Sequence, residues 1–263
     1  MLTPVHDFPG DDISPEMYRH IVYNGYISSA ATILGGAESY GLTIDTETFE
    51  RWKRLGAAAG LVDDFLDDSP DMQHASVDYD EGLANAFEEN DESLHAPAYA
   101  DELLEPAVRL LRNSVLVMPR ERIEPLIECA SIIGSIVIKK TQCSDVDDYA
   151  EILKKEASYS SRLIHGTVSE NVRSQANFPR FADWCDTAIE LGTLVDCTLD
   201  LWSDYKQGRT AVRPTPLNGA KLLYRSYPAF KRMIGKRPEL LAAYSAIRAR
   251  TRFSKLPTVL LMK

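Results

Sequence analysis

Histidine and cysteine are scarce in this chain, and neither falls into a ligand pattern. The four cysteines (Cys129, Cys143, Cys185, Cys197) form no CxxC pair, and the five histidines stand at unrelated spacings. A zinc site built on sequence-local ligands is therefore not expected, and the cysteines read as reduced core thiols. Long apolar runs are missing as well. The best stretch, Ile132–Ile138, is interrupted by Gly134 and Ser135 and falls far short of a membrane span. The first residues, MLTPVHDFPGDD, are acidic and polar. They predict no secretory signal, and with the thiols they predict a cytoplasmic protein. Alternation of apolar and polar residues with β-branched side chains is nearly absent, which argues against sheets.

Acids are almost missing from one end. Residues 205–263 hold 14 bases and one acid, Glu239, a net charge of +13. Residues 1–204 hold 15 bases and 38 acids, a net charge of −23. The whole chain of 263 residues carries −10, so duplex nucleic acid is not the expected partner. A body rich in carboxylates beside a basic segment suits a site that takes divalent cations together with an anion, as phosphate esters require.

The pattern predicts helices throughout. Ser14-Pro15 opens the first, running to a stop at Gly35-Gly36, and Asp45 opens the second. Further helices are predicted over 99–117, 121–141, 146–168, 179–206, 217–234 and 238–254. Residues 69–97 read as an acidic loop with at most a short helix. The expectation is an all-α single domain over 1–263, a bundle of about eight helices around one core.

Two aspartate clusters stand out. Asp63-Asp64-Phe65-Leu66-Asp67-Asp68 ends a long helix whose upstream stripe is Trp52, Gly56 and Ala59. Asp63 and Asp67 share that stripe. Carboxylates at a helix C-terminus oppose the helix dipole by about 0.3–1 kcal/mol each, so a cation must offset them or water must solvate them. Asp196, Asp200 and Asp204 stack along one face of another helix at i, i+4, i+8. Three inward carboxylates repel unless cations sit among them. Oxygen-only ligands suit Mg2+, with Mn2+ as a substitute.

This pair of clusters resembles the class I isoprenoid synthase superfamily, which includes terpene cyclases and squalene and phytoene synthases. Asp63-Asp64-x-x-Asp67 resembles the first aspartate-rich motif of those enzymes. Asp196-x3-Asp200-x3-Asp204 is similar in spacing to their second motif, and Gly208-Arg209 follows it as a Gly-Arg pair does in squalene and phytoene synthases. The resemblance implies a helical bundle around a central apolar cavity. It also implies roughly two or three Mg2+ ions held by Asp63, Asp64, Asp67, Asp196, Asp200 and Asp204. Asp63, Asp67, Asp200 and Asp204 would be the catalytic carboxylates. The substrate would be a prenyl diphosphate, ionised to a carbocation with release of diphosphate. Arg209, Arg162, Lys155 and Tyr205 are candidates for gripping the diphosphate. Tyr26, Trp52, Phe65, Tyr159 and Trp202 are candidates for the aromatic wall that shelters a cation.

The chain departs from some of these relatives. No Arg pair follows Asp67, where Ser69-Pro70-Asp71 stands, and Gly60 occupies the place where squalene and phytoene synthases put an Arg. The preferred expectation is a one-substrate terpene synthase, a lyase. The alternatives are a prenyltransferase coupling two prenyl diphosphates and a non-catalytic helical partner subunit. The sequence leaves a homodimer open.

Overall fold

The computed structural model describes residues 13–68, Tyr79, Leu83 and 103–236. Among the described residues there are nine helices and no strand, as the periodicity predicts. They are α1 (Pro15–Asn24), α2 (Ser28–Ser39), α3 (Thr46–Asp68), α4 (Leu104–Val115), α5 (Arg120–Gln142), α6 (Val146–Gly166), α7 (Glu170–Arg173), α8 (Phe178–Lys206) and α9 (Pro216–Lys236). No helix among them is long and apolar enough to cross a membrane. The expected loop over 69–97 and the expected helix over 238–254 lie outside the described residues, apart from Tyr79 and Leu83.

Local chemistry sets the boundaries. Ser14 caps α1, its hydroxyl accepting from the Met17 N–H at 3.1 Å, and Pro15 fills the first helical position. The single helix expected up to Gly35-Gly36 is instead broken at Gly25, whose φ of 71° ends α1 in the left-handed region. α2 then runs through Gly35 and Gly36. Gly36 serves packing instead of ending the helix: a Cβ there would sit 2.1 Å from the Trp184 ring. Asp45 caps α3 as expected, accepting from the Thr48 N–H at 2.8 Å.

α3 packs on α2 and α4, while α5, α6, α8 and α9 pack in sequence as antiparallel neighbours. The two groups are tied at one end. There Trp52 donates its indole N–H to the Ile164 carbonyl at 2.9 Å, Arg51 donates to the Thr167 carbonyl at 3.0 Å, and the Ser169 N–H donates to the Thr48 hydroxyl at 3.0 Å. Trp52, Phe181 and Trp184 form a buried aromatic row with successive centroids 5.9 Å apart. This end joins the start of α3, the end of α6 and the start of α8. The other ends of those helices, with the end of α5, form the opposite pole.

Candidate functional site at the open pole

Accessibility changes along the inward stripe of α3. Trp52 is buried, Gly56 is half-buried, and Ala59 and Asp63 are exposed. Asp63 is reached by solvent, yet much of its surroundings is protein. That surrounding mass pushes its pKa up, with Glu156 and Asp64 adding to the rise and Lys140 and Arg209 opposing it. On α8, Asp204 is pushed up to about 6, first by burial and then by Asp200, with Asp63 contributing and Arg209 and Lys140 opposing. Asp63 and Asp204, 141 positions apart in sequence, thus feel each other and share the same two cations. Asp63, near the C-terminal end of α3, and Asp200 and Asp204, near that of α8, thus lie at one pole within electrostatic reach of one another.

Lys140 stands in the last turn of α5 and bridges to Glu156 on α6, its ammonium 3.1 Å from both carboxylate oxygens. Both side chains are mostly buried. Burial alone would lower the Lys140 pKa, but the Glu156 carboxylate against it reverses this and holds the ammonium charged. Neighbouring Cys197 is pushed up to about 12, chiefly by burial, so it stays a neutral thiol. Neither Lys140 nor Glu156 stood out in the sequence. Their signal was the pairing of a Lys late in one helix with a Glu in the next.

Gly208 explains the Gly-Arg pair that follows α8. Its φ is +77°, a conformation that glycine adopts without strain. The Gly208 N–H donates to the Tyr205 carbonyl at 3.3 Å and the Arg209 N–H to the Asp204 carbonyl at 2.8 Å. These two bonds form a Schellman cap. The chain turns back on itself there, and the Arg209 guanidinium comes within electrostatic reach of Asp63 and Asp204.

Other expected residues are placed elsewhere. The Asp64 carboxylate is engaged toward α1 and the turn after it, accepting from the Tyr26 hydroxyl and lying 3.0 Å from His20 Nε2. Gly60 lets the Tyr26 ring in, since a Cβ there would sit 2.2 Å from the ring. The sequence assigns His20 no role and makes Tyr26 a candidate for the cavity wall. Phe65 is buried in the main core cluster. Asp67 lies on the last turn of α3, and its side chain is outside the described residues. Asp196 is half-buried one turn before Asp200.

The remaining expected residues are placed as follows. Trp202, expected in the cavity wall, is 59% exposed with the Lys206 ammonium over its ring. Two residues past Asp200, it points about 200° around the helix from it. Lys155 and Arg162, expected beside the diphosphate, and Tyr159, expected in the aromatic wall, line a groove of about 370 Å3 between α5 and α6. Lys155 and Arg162 are each turned about 100° or more around α6 from Glu156. The Arg162 guanidinium stacks over Tyr159, 5.2 Å from its centroid. Tyr205 is exposed.

The acids at this pole offer the oxygen donors that a hard divalent cation takes. They are Asp63, Glu156, Asp200 and Asp204, and the bases beside them are Lys140 and Arg209. Among the described residues, no three His, Cys, Asp or Glu side chains stand close enough to form a ready-made metal shell. Comparison of the chain with family models, curated proteins and solved structures finds no match.

Proposed function

We propose that the chain is a Mg2+-dependent terpene synthase acting on a single prenyl diphosphate. One observation supports this reading: Asp63 and Asp204 lie within electrostatic reach of each other, and Arg209 and Lys140 act on both. Carboxylates whose pKa values are raised by burial and mutual repulsion are poised to accept cations, and a basic pair beside them is poised to accept an anion. Asp63, Asp200 and Asp204 would hold the metal. When bound, Mg2+ would draw the diphosphate in and stabilise its developing charge.

The chain's own groups do the remainder. Arg209, aimed by the Gly208 cap, meets the oxygens of the leaving diphosphate as the allylic C–O bond breaks and the electron pair passes to oxygen. Lys140, held charged by Glu156, adds a fixed positive charge beneath the site. The prenyl chain would lie between the Trp52–Phe181 pair and Asp63, where apolar side chains would keep water from the carbocation. The test is incubation of the chain with single prenyl diphosphates of increasing length and Mg2+, followed by diphosphate assay and extraction of hydrocarbons. A product from one substrate alone supports the proposal. A product of summed chain length would instead assign coupling, and no diphosphate release at any length would refute both.

A further inference from the structure

Exposed apolar side chains are concentrated on one region. Of the eleven large hydrophobic residues exposed among the described residues, nine lie on the last turns of α8 or on α9. On α9, Leu223, Tyr224, Tyr227, Phe230 and Ile234 recur at steps of three and four, so they form one continuous helix face. Lys231 is exposed in that same face. The face is separate from the stripe of Leu222, Ser226, Ala229 and Met233, which is buried against α8 and α6. Trp202 is exposed on α8, the neighbour against which α9 runs antiparallel.

Charge identifies what this face would meet. From Tyr205 to Lys236 the chain holds eight bases and no acid. Some of these are used internally: Arg225 and Lys221 reach Asp147, and Arg232 reaches Glu190. Lys206, Arg213 and Lys231 are exposed. A symmetric dimer through this face would set two basic segments against each other. An anionic lipid surface offers the complementary charge together with an apolar layer for tyrosine, tryptophan, leucine and phenylalanine side chains. The acidic body of the chain, at −23 over residues 1–204, would be repelled by the same surface, which orients the molecule.

We infer that the α8–α9 face docks the protein peripherally on anionic membranes, with Trp202, Tyr224 and Tyr227 entering the headgroup layer and Lys206 and Lys231 meeting lipid phosphates. The inference stands apart from the diphosphate chemistry proposed at Asp63 and Asp204. The test is flotation of the full chain with vesicles of phosphatidylcholine containing about a third phosphatidylglycerol, against pure phosphatidylcholine. The chain should float with the anionic vesicles at low salt and be released by added salt. Trp202 fluorescence should shift to the blue on binding, because Trp52 and Trp184 are already buried. The double variants Tyr224→Ser/Tyr227→Ser and Lys206→Glu/Lys231→Glu should each lower vesicle partitioning by about tenfold or more, with the helical circular dichroism unchanged. Equal binding to neutral and anionic vesicles, or none to either, would overturn the inference. So would poor oxidative labelling of Tyr224 and Tyr227 in the lipid-free chain, because the face would then already be covered by a second copy or by the chain itself.

Discussion

Lys140 and Glu156 join α5 to α6 through a two-oxygen ion pair at 3.1 Å, and the Lys140 charge is felt by both Asp63 and Asp204. The pair therefore serves two purposes: it fixes the neighbouring helices and it tempers the repulsion between the aspartate clusters. Removing one partner leaves the other buried and uncompensated.

Lys140→Met is expected to destabilise the chain by about 3 kcal/mol, since it breaks a mostly buried pair and also deprives Asp63 and Asp204 of a cation. The double variant Lys140→Met/Glu156→Leu should recover much of that loss. Urea denaturation of the two single variants and the double variant checks this. Full additivity of the single effects would mean the pair is not coupled.

Asp63→Asn is expected to abolish diphosphate release while leaving thermal stability equal or slightly higher. The carboxylate sits at a helix C-terminus, desolvated and beside Glu156 and Asp64, so its charge opposes folding. A melting temperature several degrees lower would assign Asp63 a structural role instead.

Acid should stabilise the metal-free chain through Asp204. Its folded pKa of about 6 lies above the ordinary carboxylate value of 3.8. Between those values the native state binds more protons than the unfolded state, so this group's contribution worsens as pH rises through the window, by at most about 1.4 kcal/mol per pH unit. Asp204→Asn should flatten that slope in denaturation curves recorded from pH 4 to pH 7. Mg2+ binding should run the other way, weakening as pH falls below about 6, because the protonated acid is a poor ligand. Titration calorimetry would show it.

Gly208→Ala should cost about 1 kcal/mol in stability, because a side chain at φ +77° is strained. Its effect on turnover should be larger than its effect on folding, since the cap aims Arg209 at Asp63 and Asp204. Parallel measurement of kcat and of the unfolding midpoint separates the two. A change in stability alone would show that Arg209 finds its place without the cap.

Gly60→Ala tests the α1–α3 junction. The added methyl would collide with the Tyr26 ring and push it from Asp64, at a cost of about 1–3 kcal/mol. Tyr26→Ala in the same background should relieve part of that cost. Thermal melts of the single and double variants decide it.

Helix content, most helix bounds, the two aspartate clusters and the split of charge were all legible in the sequence. Each is written in neighbouring residues: a period of three to four apolar positions, the caps at Ser14 and Asp45, and three aspartates at i, i+4, i+8. Which helix faces converge is not local information. Asp64 follows Asp63 in sequence, but a turn of about 100° takes it to His20 and Tyr26 instead of Asp204. Lys155 and Glu156 are neighbours too, and one lines an outer groove while the other meets Lys140 inside. Trp202 lies between Asp200 and Asp204 in sequence and on the far side of the helix in space. The tertiary structure alone decided these, because a side chain's environment depends on which helices pack against its own and from which direction, and that depends on the whole set of contacts rather than on any one segment.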